Sequence, residues 1–247
     1  MRTRRSGAVR IFLYNWPVYV ATWGVALAAA ICSPLLPSPL RTVTLLAATG
    51  AALWSAVSLV VSSYIYDHSP LAGGAWVPAL VGHSARSWAA IHAGLDAEID
   101  LGPLGSDNCQ ARLDIFDPNV MRAPSIHRAR RTTAPTSPST PSKPTALALD
   151  DGSCDAIVVA FSAHEIRDAR ARERFFDEIR RCLRPGARVL VVEHLRDLAN
   201  FLAFGPGFLH FLPRREWRRL AAHARFVVAD ERRITPWVMA LTLERPA

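Results

Sequence analysis

The sequence predicts an α/β protein: a doubly wound, largely parallel sheet, closed by a C-terminal antiparallel strand pair and preceded by a two-helix transmembrane hairpin. Three observations carry this. Two long apolar runs near the N-terminus contain no Asp, Glu, Lys or Arg, residues 147–197 read as strand, helix, turn and strand, and two strand-like runs end the chain.

The first element in order is the hairpin. The apolar runs cover residues 11–32 and 43–66, and each exceeds the roughly 20 residues that span a bilayer. Between them Pro34, Pro37 and Pro39 interrupt any continuous helix and suit a tight turn. Tyr19, Tyr64 and Tyr66, with Trp16, fall near the ends of the runs, where amphipathic rings favour the interface. Asn15-Trp16-Pro17 marks an alternative start for the first helix. Arg2, Arg4, Arg5 and Arg10 precede it, against Arg41 alone in the loop, so counting positive charge places the N-terminus and everything after the second helix in the cytoplasm. A signal peptide fits less well, because the first run is longer than a typical h-region and a second follows at once.

Residues 1–66 are thus expected to form the hairpin, 67–86 a connector with apolar anchors Leu71, Trp76 and Leu80, and 87–247 the α/β domain. The connector either lies along the membrane or packs on the domain. Residues 87–93 are the candidate first strand and 111–116 the second, ending at Asp117-Pro118. Residues 128–145 open with a basic cluster and continue as APTSPSTPSKPT, which reads as a flexible insertion.

Residues 157–161 form a continuous β-branched and aromatic run, as in a strand buried on both faces, and 188–193 repeat it. Between them Phe175, Phe176, Ile179 and Leu183 recur at helical spacing, and Arg184-Pro185-Gly186 is a helix stop. A βαβ crossover is right-handed almost without exception, so both strands point the same way. Ligands of open α/β sheets bind beyond those C-terminal ends, where Ser162, His164, Glu165, Glu193 and His194 lie.

Further on, 201–211 is a dense aromatic patch broken at Gly205-Pro206-Gly207. A helix follows with Trp217, Leu220 and Ala221 on one face and Arg214, Arg215, Arg218 and Arg219 on the other. Its basic face suits either anionic lipid or plain solvent. Residues 225–233 and 235–244 are the closing strands, with the turn expected near Arg232.

Composition narrows the function. The net charge of +8 comes almost wholly from arginine spread along helices, without the aromatic-interleaved basic motifs of nucleic-acid modules, and a basic domain beside an anionic leaflet explains it. No nucleic-acid partner is expected. Cys32, Cys109, Cys154 and Cys182 show no CxxC or zinc-ligand spacing, so four reduced thiols and no metal are expected.

The segments DDGSCDAIVVAFSAHEI, EIRRCLRPGARVLVVEH and RFVVADERRITPWVMALTLERP resemble class I S-adenosylmethionine (SAM)-dependent methyltransferases with a methyltransferase type 11-like domain, from about residue 147 to the C-terminus and more loosely over 88–117. The resemblance implies a Rossmann-like methyltransferase sheet with SAM as cofactor. It also implies a glycine turn after the first strand, here His92-Ala93-Gly94-Leu95-Asp96, with one glycine remaining and Leu95 crowding the turn. The ribose-binding acid falls at Asp117, with Asp114 as competitor and a turn aspartate as the bland reading of Asp117. Phe161, Ser162 and His164 would line the cofactor and substrate cleft. His164 is a candidate general base or simply a helix-start residue, and His194 and His210 are further groups that could face a substrate. The position of the adenine-binding acid offers only Lys143 or Thr145.

Two functions follow as expectations. One is a membrane-anchored SAM-dependent methyltransferase acting on a small or lipophilic acceptor, with the bilayer as partner. The other is a degenerate, non-catalytic methyltransferase-like binding or scaffold module, motivated by the eroded glycine turn and the missing adenine acid.

Overall fold

The computed structural model describes residues 5–82, 85–94, 99–133 and 137–247. The expectations for Arg2, Arg4, Leu95 and Asp96 lie outside them.

The hairpin consists of α1 (Gly7–Cys32) and α2 (Ser38–Ser63), joined by a 3-10 turn at Ser33–Leu35. Helix α1 starts earlier than the apolar run, because Ser6 caps it and the Gly7 N–H donates to both Asp67 carboxylate oxygens (2.9 and 2.8 Å), which fixes a negative charge on the helix N-terminus. Asn15-Trp16-Pro17 is therefore a kink and not the start. Asn15 leaves helical geometry (φ −122°, ψ 17°) and its side chain donates to the Ile11 carbonyl at 3.2 Å, beside the proline that cannot continue the backbone ladder. Both helices are long and apolar enough to cross a membrane by length and composition, and both are largely uncovered by the rest of the chain. Tyr19 Oη bonds Ser58 Oγ across the hairpin at 3.0 Å. Helix α2 runs into a π-turn, Tyr64–His68.

The connector packs on the domain. Short helices α3 (Pro70–Gly73) and α4 (Val77–Val81) bury Leu71, Val77, Leu80 and Val81 against one face of the sheet, with Ile65 and Tyr66 of the π-turn. The strands are β1 (Trp88–His92), β2 (Cys109–Asp114), β3 (Thr140–Pro141), β4 (Cys154–Ala160), β5 (Leu183–His194), β6 (Val227–Thr235) and β7 (Val238–Glu244), ordered β3-β2-β1-β4-β5-β7-β6. Neighbours from β3 to β5 are parallel, whereas β7 is antiparallel to both β5 and β6. This is the doubly wound sheet with a closing antiparallel pair; the turn between β6 and β7 falls at Pro236-Trp237 and not near Arg232.

Strand alternation divides the core. Ile157, Val159, Val189 and Val191 face α6 (Ala169–Cys182) and α8 (Arg214–His223), where Phe175, Phe176 and Trp217 are fully buried. Ala156, Val158, Leu190 and Val192 face the connector helices and the base of the hairpin. The small Ala156 and Ala90 let that layer lie close.

Residues 128–145 are not a flexible insertion throughout. The basic cluster belongs to α5 (Pro124–Thr132), which buries Ile126 and Ala129, while Thr140–Pro141 adds to β2 as the sheet edge, where a proline costs no ladder bond. Residues 134–136 lie outside the description. The helix stop is also displaced: α6 ends at Cys182, and Arg184-Pro185-Gly186 already belongs to β5, where Gly186 (φ +77°) donates to the Arg245 carbonyl at 2.7 Å.

Candidate functional site

The parallel strands end along one sheet edge, and each contributes a polar or strained group. At the end of β1, Gly94 adopts φ +90° and its N–H donates to His92 Nδ1 at 3.0 Å. That bond leaves the His92 proton on Nε2, 3.0 Å from Ser139 Oγ. In the parallel register His92 stands opposite Asp114, the last residue of β2. Asp114 holds Arg130 of α5 at 2.9 and 2.8 Å, and the same guanidinium nitrogen reaches the Ala93 carbonyl at 3.1 Å. Arg130 lies directly over Gly94, where an added Cβ would fall 2.0 Å from its Nη1, and over the Phe116 ring at 4.3 Å.

Asp117 is placed differently from the sequence reading. It lies three residues beyond the strand, and its Oδ1 accepts from the Asn119 N–H (2.8 Å) and Nδ2 (3.0 Å), an Asx turn. The apolar run extends past the strand because Ile115, whose N–H still donates to the His92 carbonyl at 2.9 Å, is a core residue.

At the end of β4, Phe161 takes a positive φ of 48°, a conformation rare for an aromatic residue, and its N–H donates to the Val192 carbonyl at 3.0 Å. This turn aims the Phe161 ring at Tyr66 (5.7 Å) and His194 (5.2 Å). Ser162 is fully buried with its hydroxyl 3.4 Å from the Ile91 carbonyl, tying β4 to β1.

Beyond Ser162 the buried charges converge. Glu193 accepts from the Ala163 N–H (3.0 Å), the His164 N–H (3.3 Å) and His164 Nδ1 (2.6 Å). His164 Nε2 faces Glu165 at 3.5 Å, and His210 Nε2 bonds the same Glu165 oxygen at 3.0 Å. Burial alone would lower the His164 pKa, but the Glu193 and Glu165 carboxylates prevail and push it up to about 10. In this state His164 is an imidazolium with no lone pair to act as a base. Burial raises the Glu165 pKa, yet bonds from His164 and His210 hold it well below the usual carboxylate range. His210 stays below its ordinary value through burial. Arg167 touches both the His210 ring and its carbonyl.

His194 closes the other side. Its Nδ1–H donates to the Trp237 carbonyl at 3.0 Å, so Nε2 accepts the Tyr66 hydroxyl at 2.9 Å. Burial lowers its pKa to about 4, and the ring stacks on Phe211 at 4.7 Å.

These groups floor a cavity of about 700 Å³ between the sheet edge and the hairpin. Tyr14, Val18 and Tyr19 of α1 and Trp54 of α2 form one wall; Phe161, His164, His194 and His210 line the opposite side. Trp54 Nε1 donates to the Leu202 carbonyl at 2.8 Å, joining α2 to α7 (Leu198–Phe204). Sequence reasoning found His92, Gly94, Phe161, Ser162, His164 and His194 at the edge. It missed Tyr66, assigned to a membrane helix, and Arg130, assigned to the insertion; the Tyr66–His194 bond joins residues 128 apart, for which no local pattern exists.

Comparison with known proteins bears on this arrangement. Residues 113–191 match the family described as methyltransferase domain. A SAM-dependent methyltransferase from Aquifex aeolicus superposes with a TM-score of 0.55 at 13% identity, over 77% of this chain and 97% of that one. Another, from Methanosarcina mazei, gives a TM-score of 0.48 at 18% identity over 69% and 96%. No curated protein is significantly similar in sequence. The chain thus carries a methyltransferase domain match from the end of β2 through most of β5, within a sheet that has the fold of SAM-dependent methyltransferases.

Proposed function

We propose that the protein is a membrane-anchored SAM-dependent methyltransferase acting on a lipophilic acceptor that reaches the site through the cavity beneath the hairpin. The observation that carries this reading is the cavity itself: the polar ends of β4 and β5 form its floor and an apolar membrane-type hairpin forms its wall.

The residues present suit the cofactor. Gly94 supplies a positive-φ turn after β1, and Asp114, opposite His92, supplies an acid at the end of β2. We assign ribose recognition to Asp114 rather than Asp117, whose carboxylate closes its own turn. His92 and Gly94 border the methionine end, and Phe161 and Ser162 separate the cofactor from the acceptor cavity. SAM when bound supplies an electrophilic sulfonium methyl. The chain's own part is alignment and exclusion of water, which suffices for a good nucleophile. His164 and His194 act as positioning groups, since one is ion-paired and the other accepts a hydrogen bond from the Tyr66 hydroxyl.

The hairpin is read as crossing the bilayer twice, with both ends on the cytoplasmic side. From residue 20 to residue 50 only Ser33 is buried, and the thirteen residues 38–50 of α2 span about 20 Å, short of the roughly 30 Å hydrocarbon core. Lipid would then extend down to Trp54 and meet Leu198, Leu202 and Leu209, all more than half exposed. This supports an acceptor that arrives from the membrane.

A second reading is favoured by one observation: Arg130 occupies Asp114 and covers Gly94, as a module that no longer binds SAM would allow. A thermal melt of the full chain in detergent separates the two. SAM at about 100 times its dissociation constant adds roughly 2.7 kcal/mol to a binding protein. The methyltransferase reading expects a clear upward shift, lost in Asp114→Ala and kept in Asp117→Ala; a folded protein indifferent to SAM supports the non-catalytic module.

A further inference from the structure

We propose that His164, Glu165 and His210 form a binding site for a divalent first-row transition cation on the floor of the cavity. One ligand atom from each lies within 4.8 Å of the others, close enough for a single ion to bridge them after small side-chain adjustments. Two imidazoles and one carboxylate, with positions left open toward the cavity, are the donor set of Zn²⁺ or Fe²⁺ rather than of Ca²⁺ or Mg²⁺. Cysteine spacing gave no hint of it, because no cysteine takes part.

Three further features fit an ion. Glu165 Oε2 is buried without a hydrogen-bond partner, in a residue only 5% exposed, and a lone carboxylate oxygen at such a position is costly unless something coordinates it. His164 Nδ1 is held by Glu193 at 2.6 Å, so Nε2, which faces Glu165 at 3.5 Å, is the atom that would ligate once the ion displaces its proton. This carboxylate–histidine pairing orients metal-bound imidazoles and raises their basicity. Glu193 is in turn fixed by two backbone N–H groups. Arg167 lies against the cluster; it would keep the His210 carbonyl, 2.8 Å away, and yield the ring nitrogen.

Charge suggests what the ion would hold. Glu165, Glu193 and Arg167 sum to one negative charge, so a dication leaves a single positive charge facing the cavity, matched by an acceptor thiolate or alkoxide. This role, though not the binding itself, rests on the methyltransferase reading: the ion lowers the acceptor's pKa, the proton leaves to solvent, and the anion is the nucleophile to be methylated.

The test is titration of the chelator-stripped, full-length protein in detergent with Co²⁺, followed by the visible absorption of protein-bound cobalt. One saturable equivalent is expected, weakened about 10- to 100-fold by Glu193→Gln and abolished by His210→Ala. His210 is partly exposed, so this variant should stay folded; its circular dichroism and its SAM melt shift check that. No saturable cobalt spectrum, or one unchanged in His210→Ala, overturns the site. A SAM shift without cobalt binding sinks the metal site alone, while cobalt binding without a SAM shift keeps the site and sinks the methyltransferase reading.

Discussion

Arg130 shows how one side chain sets the balance between the two functional readings. Its guanidinium neutralises Asp114 and fills the space above Gly94, so SAM binding requires it to move. Arg130→Ala is therefore expected to tighten SAM binding about fivefold, from the roughly 1 kcal/mol that such a partly exposed ion pair contributes; isothermal titration measures it, and unchanged affinity would mean that Arg130 never blocks the site. His194 gives a pH prediction. Its folded pKa of about 4 lies below the ordinary 6.5 because burial disfavours its charge. The unfolded chain takes up a proton between those values that the native state refuses, so stability falls as pH drops from about 6.5 to 4, by up to about 3 kcal/mol. Above 6.5 the group is neutral in both states and contributes nothing. Denaturant midpoints across that range should fall less steeply in His194→Phe than in the parent; equal slopes would show that His194 is protonated in the fold.

Among the elements, those with strong local patterns were legible. Helix α6 and strands β4 and β5 follow from the spacing of Phe175, Phe176 and Ile179 and from the flanking β-branched runs, because burial on both sheet faces leaves no room for polar interruption. Phe176→Ala should cost about 3–5 kcal/mol, read by chemical denaturation, since the ring is fully buried between Phe175 and Trp217. Strand β3 and helix α5 were not legible. Thr140–Pro141 becomes a strand only by pairing with Leu113 and Asp114, and α5 owes its place to Ile126 and Ala129 meeting the core rather than to its basic composition. The same holds at the site: the edge residues could be read from the strand ends, whereas Asp114 and Asp117 were separated only by where β2 stops pairing. The start of α1 depends on Asp67, sixty residues away, so Asp67→Ala should cost about 1 kcal/mol, again measurable by denaturation.

At the scale of the whole molecule, hairpin and sheet are joined by contacts that also build the cavity: Tyr66 to His194, Trp54 to Leu202, and Tyr14 Oη to Thr133 Oγ1 at 2.8 Å. The apolar runs and the parallel sheet were each readable separately; their meeting was not, because it depends on residues far apart in sequence. Ala51→Trp, which adds bulk to the cavity lining on α2, should block a lipophilic acceptor while leaving the SAM melt shift intact. The most direct measurement is transfer of a radiolabelled methyl from SAM by the full-length protein incubated with membrane lipid extract. The account predicts label in the organic-soluble fraction, reduced to background by Asp114→Ala and cut at least tenfold by Ala51→Trp, about 1.4 kcal/mol of lost acceptor binding. No organic-soluble label from a protein that SAM stabilises, or label unaffected by Ala51→Trp, would contradict it.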